Sequence, residues 1–277
     1  MNQAELLLKQ PQWRIIDQTA LGAQFGALQS FAFDDTLCAS VGSGRSPATA
    51  RAWVHHQTVV LGIQDTKLPL LQAGLDYLQQ QGYSYIVRNS GGLAVVLDQA
   101  VLNITLIFQE KGIEINHGYE AMWQLVNQMF ADFPHVIEAR EISGSYCPGS
   151  YDLSISGKKF AGISQRRLRN GVAVQCYLCV HDSGKKRAEL IKDFYSFASQ
   201  GEPTKFLPPH IIPEVMASLS ELLNIELSVN EVMLRFLQSL KENCEQLLSG
   251  QLTDKEQPLF TDYYHRIVER NRHMLKN

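Results

Sequence analysis

The sequence has little that would take it out of a reducing compartment or into a membrane. It carries only five cysteines in 277 residues, at positions 38, 147, 176, 179 and 244. So sparse and odd a set makes no disulfide framework, and a cytoplasmic setting is expected. The first ten residues hold one short apolar run, Leu6 to Leu8, without a basic region before it, so no signal peptide is expected. Apolar stretches elsewhere, such as Gly91 to Leu97, fall far short of the roughly 20 residues that a membrane-spanning helix needs. Charge of one sign is not in excess either. The net charge of −3 points neither to nucleic acid nor to an anionic membrane surface.

Metal chemistry finds no donor set. His55 and His56 are adjacent, so on a strand they face opposite ways, and the other six histidines show no ligand spacing. Cys176 and Cys179 form a C-x-x-C, but within a strand-like run and without a second ligand pair. Three apart on a strand, their thiols point to opposite faces; both read as structural, as do Cys38 and Cys244. There is no Walker A loop, no Rossmann spacing and no internal repeat. No metal and no cofactor is expected.

What is present is an ordinary globular composition, 45% hydrophobic and 19% charged. Strand signals fill the first half: Trp53 to Gly62, Tyr83 to Val87, Gly92 to Leu97 and Leu102 to Phe108. Between them Pro69 to Gln81 reads as a helix, with Asp65 or Thr66 as candidate caps. Tyr119 to Phe133 is an amphipathic helix ended by Pro134. Tyr151 to Ile155 and Lys159 to Gln165 read as a hairpin turning at Ser156-Gly157-Lys158. Val172 to Val180 is a further strand, and Ser183 to Ala198 a helix capped by Ser183. A connector with Pro203, Pro208, Pro209 and Pro213 follows. Beyond it the chain is expected to be almost wholly helical. Ser228 and Glu231 form a capping box for a helix running to about Leu248, and Leu252 to Asn277 forms a further helix. The expected class is α+β, mixed sheets flanked by helices, with one domain over 1–250 and a helical tail over 251–277.

Two segments can carry chemistry. Cys147 precedes a Pro-Gly pair that forces a turn. A thiol there is either a small buried hydrophobe or a reachable nucleophile, and position alone leaves both open. Side chains alternate along a strand, so Lys159, Ala161 and Ile163 are expected on one face and Phe160 and Ser164 on the other. If the Lys159 face lines a cleft, its ammonium favours the thiolate of Cys147. Arg88-Asn89-Ser90-Gly91-Gly92 leaves backbone N–H groups unobstructed for an acyl carbonyl or a phosphate, or is a plain turn. Arg166, Arg167 and Arg169 form a basic cluster, read by default as solvated and otherwise as a face for an acidic partner protein.

The run Arg88 to Asp98 (RNSGGLAVVLD) and Gly157 to Gly162 (GKKFAG) resemble the lipoate–protein ligase and octanoyltransferase superfamily, which shares its fold with biotin protein ligases. The resemblance implies that the first run, with Gly162, cradles an acyl group and that Lys159 is the essential lysine. Leu93 and Leu97 stand where ATP-using ligases of the superfamily carry a third glycine and a histidine, which disfavours adenylation. The run Cys147 to Ile155 with Gln165-Arg166-Arg167 is similar to one branch, the octanoyl-[glycine cleavage H protein]:protein N-octanoyltransferases. That similarity implies Cys147 and Lys159 as catalytic residues and Arg88, Asn89, Ser90, Gly91, Gly92 and Gly162 as substrate-binding ones. It implies the octanoylated glycine cleavage H protein as donor, lipoyl domains of oxo-acid dehydrogenase E2 subunits as acceptors, and a Cys147 thioester between them. Transfer from octanoyl-acyl carrier protein, ATP-dependent lipoate ligation and acyl binding without catalysis are the alternatives.

Overall fold

A computed structural model describes residues 2–21, 25–201 and 207–275. In chain order its elements are α1 (Gln3–Leu8), β1 (Gln10–Gln18), α2 (Ala27–Gly42), β2 (Thr49–Trp53), β3 (Thr58–Leu61), α3 (Leu71–Gln80), β4 (Ser84–Val87), β5 (Val95–Leu97) and β6 (Val101–Gln109). Then follow α4 (Ile115–Met129), β7 (Glu138–Ala139), β8 (Asp152–Ile155), β9 (Lys158–Leu168), β10 (Gly171–Cys179), α5 (Gly184–Ser199), α6 (Leu219–Leu223), α7 (Val229–Glu242), β11 (Cys244–Ser249) and α8 (Gln257–Met274).

Eight strands form one sheet in the order β11-β1-β2-β6-β10-β9-β8-β7, and β4-β3-β5 form a second. Nearly every residue of β6 and β10 is buried, because both faces of the large sheet are covered. On one face α1, α4, α6 and α7 supply Leu8, Leu125, Leu219 and Phe236 to a core shared with Leu106, Phe160 and Leu178. Against the other lie α2 and the small sheet. The small sheet packs on α3 and α5 through Val59, Leu75, Val96, Ile191 and Phe194. The two sheets therefore face each other, and the candidate site lies in that seam. Cys176 and Cys179 fall into the two different cores.

Three expectations need correction. Trp53 to Gly62 is not one strand: β2 ends at Trp53, the chain bends at His55-His56-Gln57, and β3 begins in the other sheet. A run of β-branched residues fits either sheet, so periodicity did not show the switch. Neither Asp65 nor Thr66 caps α3, whose N-cap is Leu70; Asp65 instead accepts from the Gly62 N–H at 2.7 Å and the Tyr195 hydroxyl at 2.8 Å. The capping box of Ser228 and Glu231 starts α7, but that helix stops at Glu242. Cys244–Ser249 then pairs in parallel with the edge strand β1, whose free N–H and C=O groups outweigh weak helix propensity. The tail is helical, as α8, and is docked rather than free. Arg14 of β1 holds Glu256 through two bonds of 2.8 Å, and α8 packs on α2 and β4. Of the connector prolines, Pro203 lies outside the described residues. No helix among the described residues is long and apolar enough to cross a membrane.

Candidate active site

The Cys147 loop enters β8 in a conformation that L-residues avoid. Cys147 has φ of +45°, which costs about 1–2 kcal/mol and needs outside support. Lys159 supplies it. Its ammonium, fully buried, donates to the carbonyls of Tyr146 (3.0 Å) and Cys147 (2.9 Å) and pairs with Asp152 at 2.8 Å. Three N–H bonds thus have three close acceptors, and Ser145 Oγ lies at 3.3 Å. Asp152 also accepts from the Ile142 N–H at 3.1 Å. Burial raises its pKa above the usual carboxylate value, with Lys159 opposing that shift.

Lys159 reaches the site through a β-bulge. In the β8–β9 pairing Leu153 opposes Ala161 and Ser154 opposes Lys159, which leaves Phe160 as an extra residue. Phe160 and Ala161 consequently both belong to the large core, whereas Gly162 and Ser164 line the same cavity as Cys147. This corrects the expected grouping of Lys159 with Ala161 and Ile163: strict alternation does not survive a bulge. Asp152, Gly162 and Tyr177 stand in one row across β8, β9 and β10.

The Lys159 ammonium does approach the Cys147 loop, but at its carbonyls. The groups on Cys147 Sγ are the backbone N–H of Leu93 at 3.1 Å and Arg88 Nη2 at 3.3 Å. Arg88 is buried, also donates to the Leu93 carbonyl, and forms no ion pair with a carboxylate among the described residues. Gly92 makes this approach possible. It has φ of +109°, and a Cβ there would sit 2.4 Å from Arg88 Nη2 and 3.1 Å from the sulfur. A Cβ at Gly91 meets nothing within 4 Å. The loop is tied from behind: Asn89 donates to Asp35 at 2.8 Å, while Arg166 pairs with Asp35 and donates to the Asn89 carbonyl at 3.0 Å. Arg166 is thus a strut rather than a solvated residue, and Arg167 pairs with Glu110 at 2.8 Å. Sequence reasoning missed Asp35; its signal was an Asp34-Asp35 pair inside an otherwise uncharged helix.

Two cavities meet here. One of about 270 Å³ is lined by Cys147, Arg88, Gly92, Tyr119, Asp152 and Gln165. A narrower one of about 50 Å³ runs on between the sheets, sharing Arg88, Val95, Gly162, Ser164 and Tyr177 with the first. Phe31, Trp53, Val60 and Leu97, with the more polar Ser90, Asn103, Gln175 and Cys176, line the rest of it. Alternation on β5 turns Val95 and Leu97 toward this slot and leaves Val96 in the small core. Ser90 Oγ, Arg88 Nε, Asn89 Oδ1 and Tyr177 Oη are buried without a partner, so unmatched polar atoms gather at these cavities. All of the sequence-predicted residues except Asn89, Ser90 and Lys159 line the larger cavity; Ser90 lines the slot, and Asn89 and Lys159 stand behind the wall. A groove of about 750 Å³ between α2, the β9–β10 turn and α8 does not border Cys147. No group of three or more His, Cys, Asp or Glu residues placed to hold a metal occurs among the described residues.

A sulfur that accepts two N–H bonds, in a cavity sharing its wall with a largely apolar slot, suits acyl transfer, and comparison with known proteins agrees. Residues 26–241 match the lipoyl protein ligase A/B catalytic domain family. The chain belongs to this family. Within it, the octanoyl-[GcvH]:protein N-octanoyltransferase of Bacillus velezensis is 59% identical over 96% of this chain and 94% of its own length. The lipoyl-[GcvH]:protein N-lipoyltransferase of Listeria monocytogenes is 53% identical over 98% of both. Two solved structures share the fold. Lipoate-protein ligase A bound with ATP has a TM-score of 0.69 at 16% identity, covering 93% of this chain and 95% of that one. The bipartite lipoate protein ligase of Thermoplasma acidophilum, from a structural study that also included its E2 lipoyl domain, has 0.68 at 17%, covering 97% and 98%.

Proposed function

We propose that this chain is an octanoyl-[GcvH]:protein N-octanoyltransferase that carries the acyl group on Cys147 and delivers it to a lysine of an E2 lipoyl domain. The observation that carries this reading is the setting of Cys147 Sγ: an N–H and a guanidinium donate to it in a cavity that shares Arg88, Val95, Gly162, Ser164 and Tyr177 with a largely apolar slot. Arg88, which forms no ion pair with a carboxylate among the described residues, is the cation that donates to the sulfur. The thiolate attacks the amide carbonyl of the octanoylated donor lysine, forming the C–S bond. The C–N bond breaks, and the departing lysine nitrogen takes up one proton. In the second half an acceptor amine attacks the thioester, loses one proton and expels the thiolate. An amide is exchanged for an amide, so the sum is near balance and needs no ATP. As charge moves from sulfur to the carbonyl oxygen, Arg88 and the Leu93 N–H are the donors nearest to it.

Lys159, with all three protons committed to the loop and Asp152, is a positioning residue rather than the cation on sulfur. Gly92 admits the sulfur, Gly162 leaves room before the Tyr177 ring, and Asn89 anchors the loop. Ser90 faces the slot with its hydroxyl unpaired. Gly91, beside the larger cavity, leaves open space where a side chain would stand.

The test offers octanoylated GcvH, octanoyl-acyl carrier protein, and octanoate with ATP as separate donors to a lipoyl domain. Transfer from GcvH alone, without ATP, is the expected result. Preference for acyl carrier protein, or release of pyrophosphate, overturns the reading. The 53% identity to a lipoyltransferase motivates a fourth arm with lipoylated GcvH, where transfer at an equal rate would widen the substrate class to both acyl groups.

A further inference from the structure

The family match ends at residue 241, yet α8, at 257–274, reaches the active-site loop. The small sheet has the order β4-β3-β5, which makes β4 an edge. Along β4 the N–H groups of alternate residues turn toward β3: Ser84 donates to Gln57 and Arg88 donates to Leu61 at 3.0 Å. Val87, between them in the alternation, therefore presents its own N–H and C=O outward, where an edge strand has no partner. The side-chain amide of Asn271 fills that place. Its Oδ1 accepts from the Val87 N–H at 2.7 Å and its Nδ2 donates to the Val87 carbonyl at 2.9 Å. Asn271 is 5% exposed and Val87 1%, so both bonds are buried. The next residue along the chain is Arg88, whose guanidinium touches Cys147 Sγ.

We propose that Asn271 is a positioning residue for acyl transfer: by clamping the Val87 peptide it sets the backbone from which Arg88 reaches the Cys147 sulfur. An arginine on an unclamped edge strand has many rotamers and a movable root. Here the root is fixed from α8 through Asn271 and from α2 and β9 through the Asp35, Asn89 and Arg166 network. The far end of α8 is itself bolted to β1 by Arg14 and Glu256. The C-terminal helix is in this way part of the catalytic apparatus. The proposal rests on the reading of Cys147 as the acyl carrier.

The experiment is a double-mutant cycle in the full chain with Asn271→Leu and Arg88→Gln. It measures the rate of Cys147 alkylation by iodoacetamide, and kcat and KM for octanoyl transfer. Displacing a positioned group by about 1 Å costs on the order of tenfold to a hundredfold. Asn271→Leu is expected to lower the alkylation rate and kcat by that amount with KM for the protein substrates unchanged. In the Arg88→Gln background it is expected to cost nothing more. Equal losses in both backgrounds, a change confined to KM, or an Arg88→Gln variant as reactive as wild type overturns the proposal. Should Asn271→Leu fail to fold, Asn271→Ala takes its place, and hydrogen exchange on the wild-type chain gives an independent reading. The Val87 amide is expected to exchange as slowly as the amides of α8, and rapid exchange contradicts the clamp. Cys147→Ala separates the two claims, since full transfer by that variant sinks the acyl-carrier reading while the alkylation cycle still judges Asn271.

Discussion

At the scale of single residues, the site divides its two cations between different tasks. Arg88 is at the sulfur, and Lys159 is at the backbone that presents the sulfur. Lys159→Met is expected to slow Cys147 alkylation about tenfold by releasing the left-handed loop, and to destabilise the fold by about 3–5 kcal/mol because Asp152 is left buried and unpaired. Adding Asp152→Leu should restore the melting temperature but not the alkylation rate. Recovery of both would mean that Lys159 only balances charge. Arg88→Lys keeps a cation but loses the planar guanidinium whose Nη2 donates to both the Leu93 carbonyl and Cys147 Sγ. It should alkylate more slowly than wild type, and an equal rate would show that charge alone suffices.

Elements explain why these residues meet. The sequence motifs and the family resemblance singled out the Arg88–Gly92 run, Cys147, Lys159 and Gly162, and the structure brings them together around one cavity and its wall. The bulge at Phe160 was not legible in the sequence, since an extra residue in a strand leaves no mark on composition and is defined only by the register with β8. Nor was the strut of Arg166 on Asp35, which joins residues 131 positions apart. The break between β2 and β3 and the strand β11 were hidden for a related reason: both are decided by which distant strands each segment pairs with, β2 between β1 and β6, β3 between β4 and β5, and β11 beside β1. Gly92 and Gly91 make a test at this scale. Gly92→Ala forces a Cβ against Arg88 and the sulfur at a φ disfavoured for alanine, whereas the same change at Gly91 meets open space. Gly92→Ala is expected to lower kcat at least about tenfold more than Gly91→Ala. Equal effects would contradict the close approach of this loop to Cys147.

Across the whole molecule, the seam between two sheets supplies both the slot and its closure, and α8 ties the small sheet to the large one. Its tether titrates. Burial alone would push the Glu256 carboxyl up, but bonds from Arg14, the Thr253 N–H and Ser40 outweigh it and hold its pKa down at about 2. A carboxylate depressed in the folded state gives stability that is complete above its ordinary value, about 4.3, and lost as pH falls toward the folded value. Urea unfolding of wild type and Glu256→Gln should therefore differ by a constant amount between pH 6 and 8 (about two units clear of the titration). The gap should close progressively below about pH 4. A gap that persists at about pH 2 would contradict the assignment of the tether to this ion pair.

The central claim is that Cys147 carries the acyl group. It is tested most directly by intact mass measurement of the purified chain after incubation with octanoylated GcvH and no acceptor. The expected result is one octanoyl adduct that is released by hydroxylamine, passes to an added lipoyl domain and is missing from Cys147→Ala. An adduct that survives Cys147→Ala, or transfer by that variant at the wild-type rate, would contradict it.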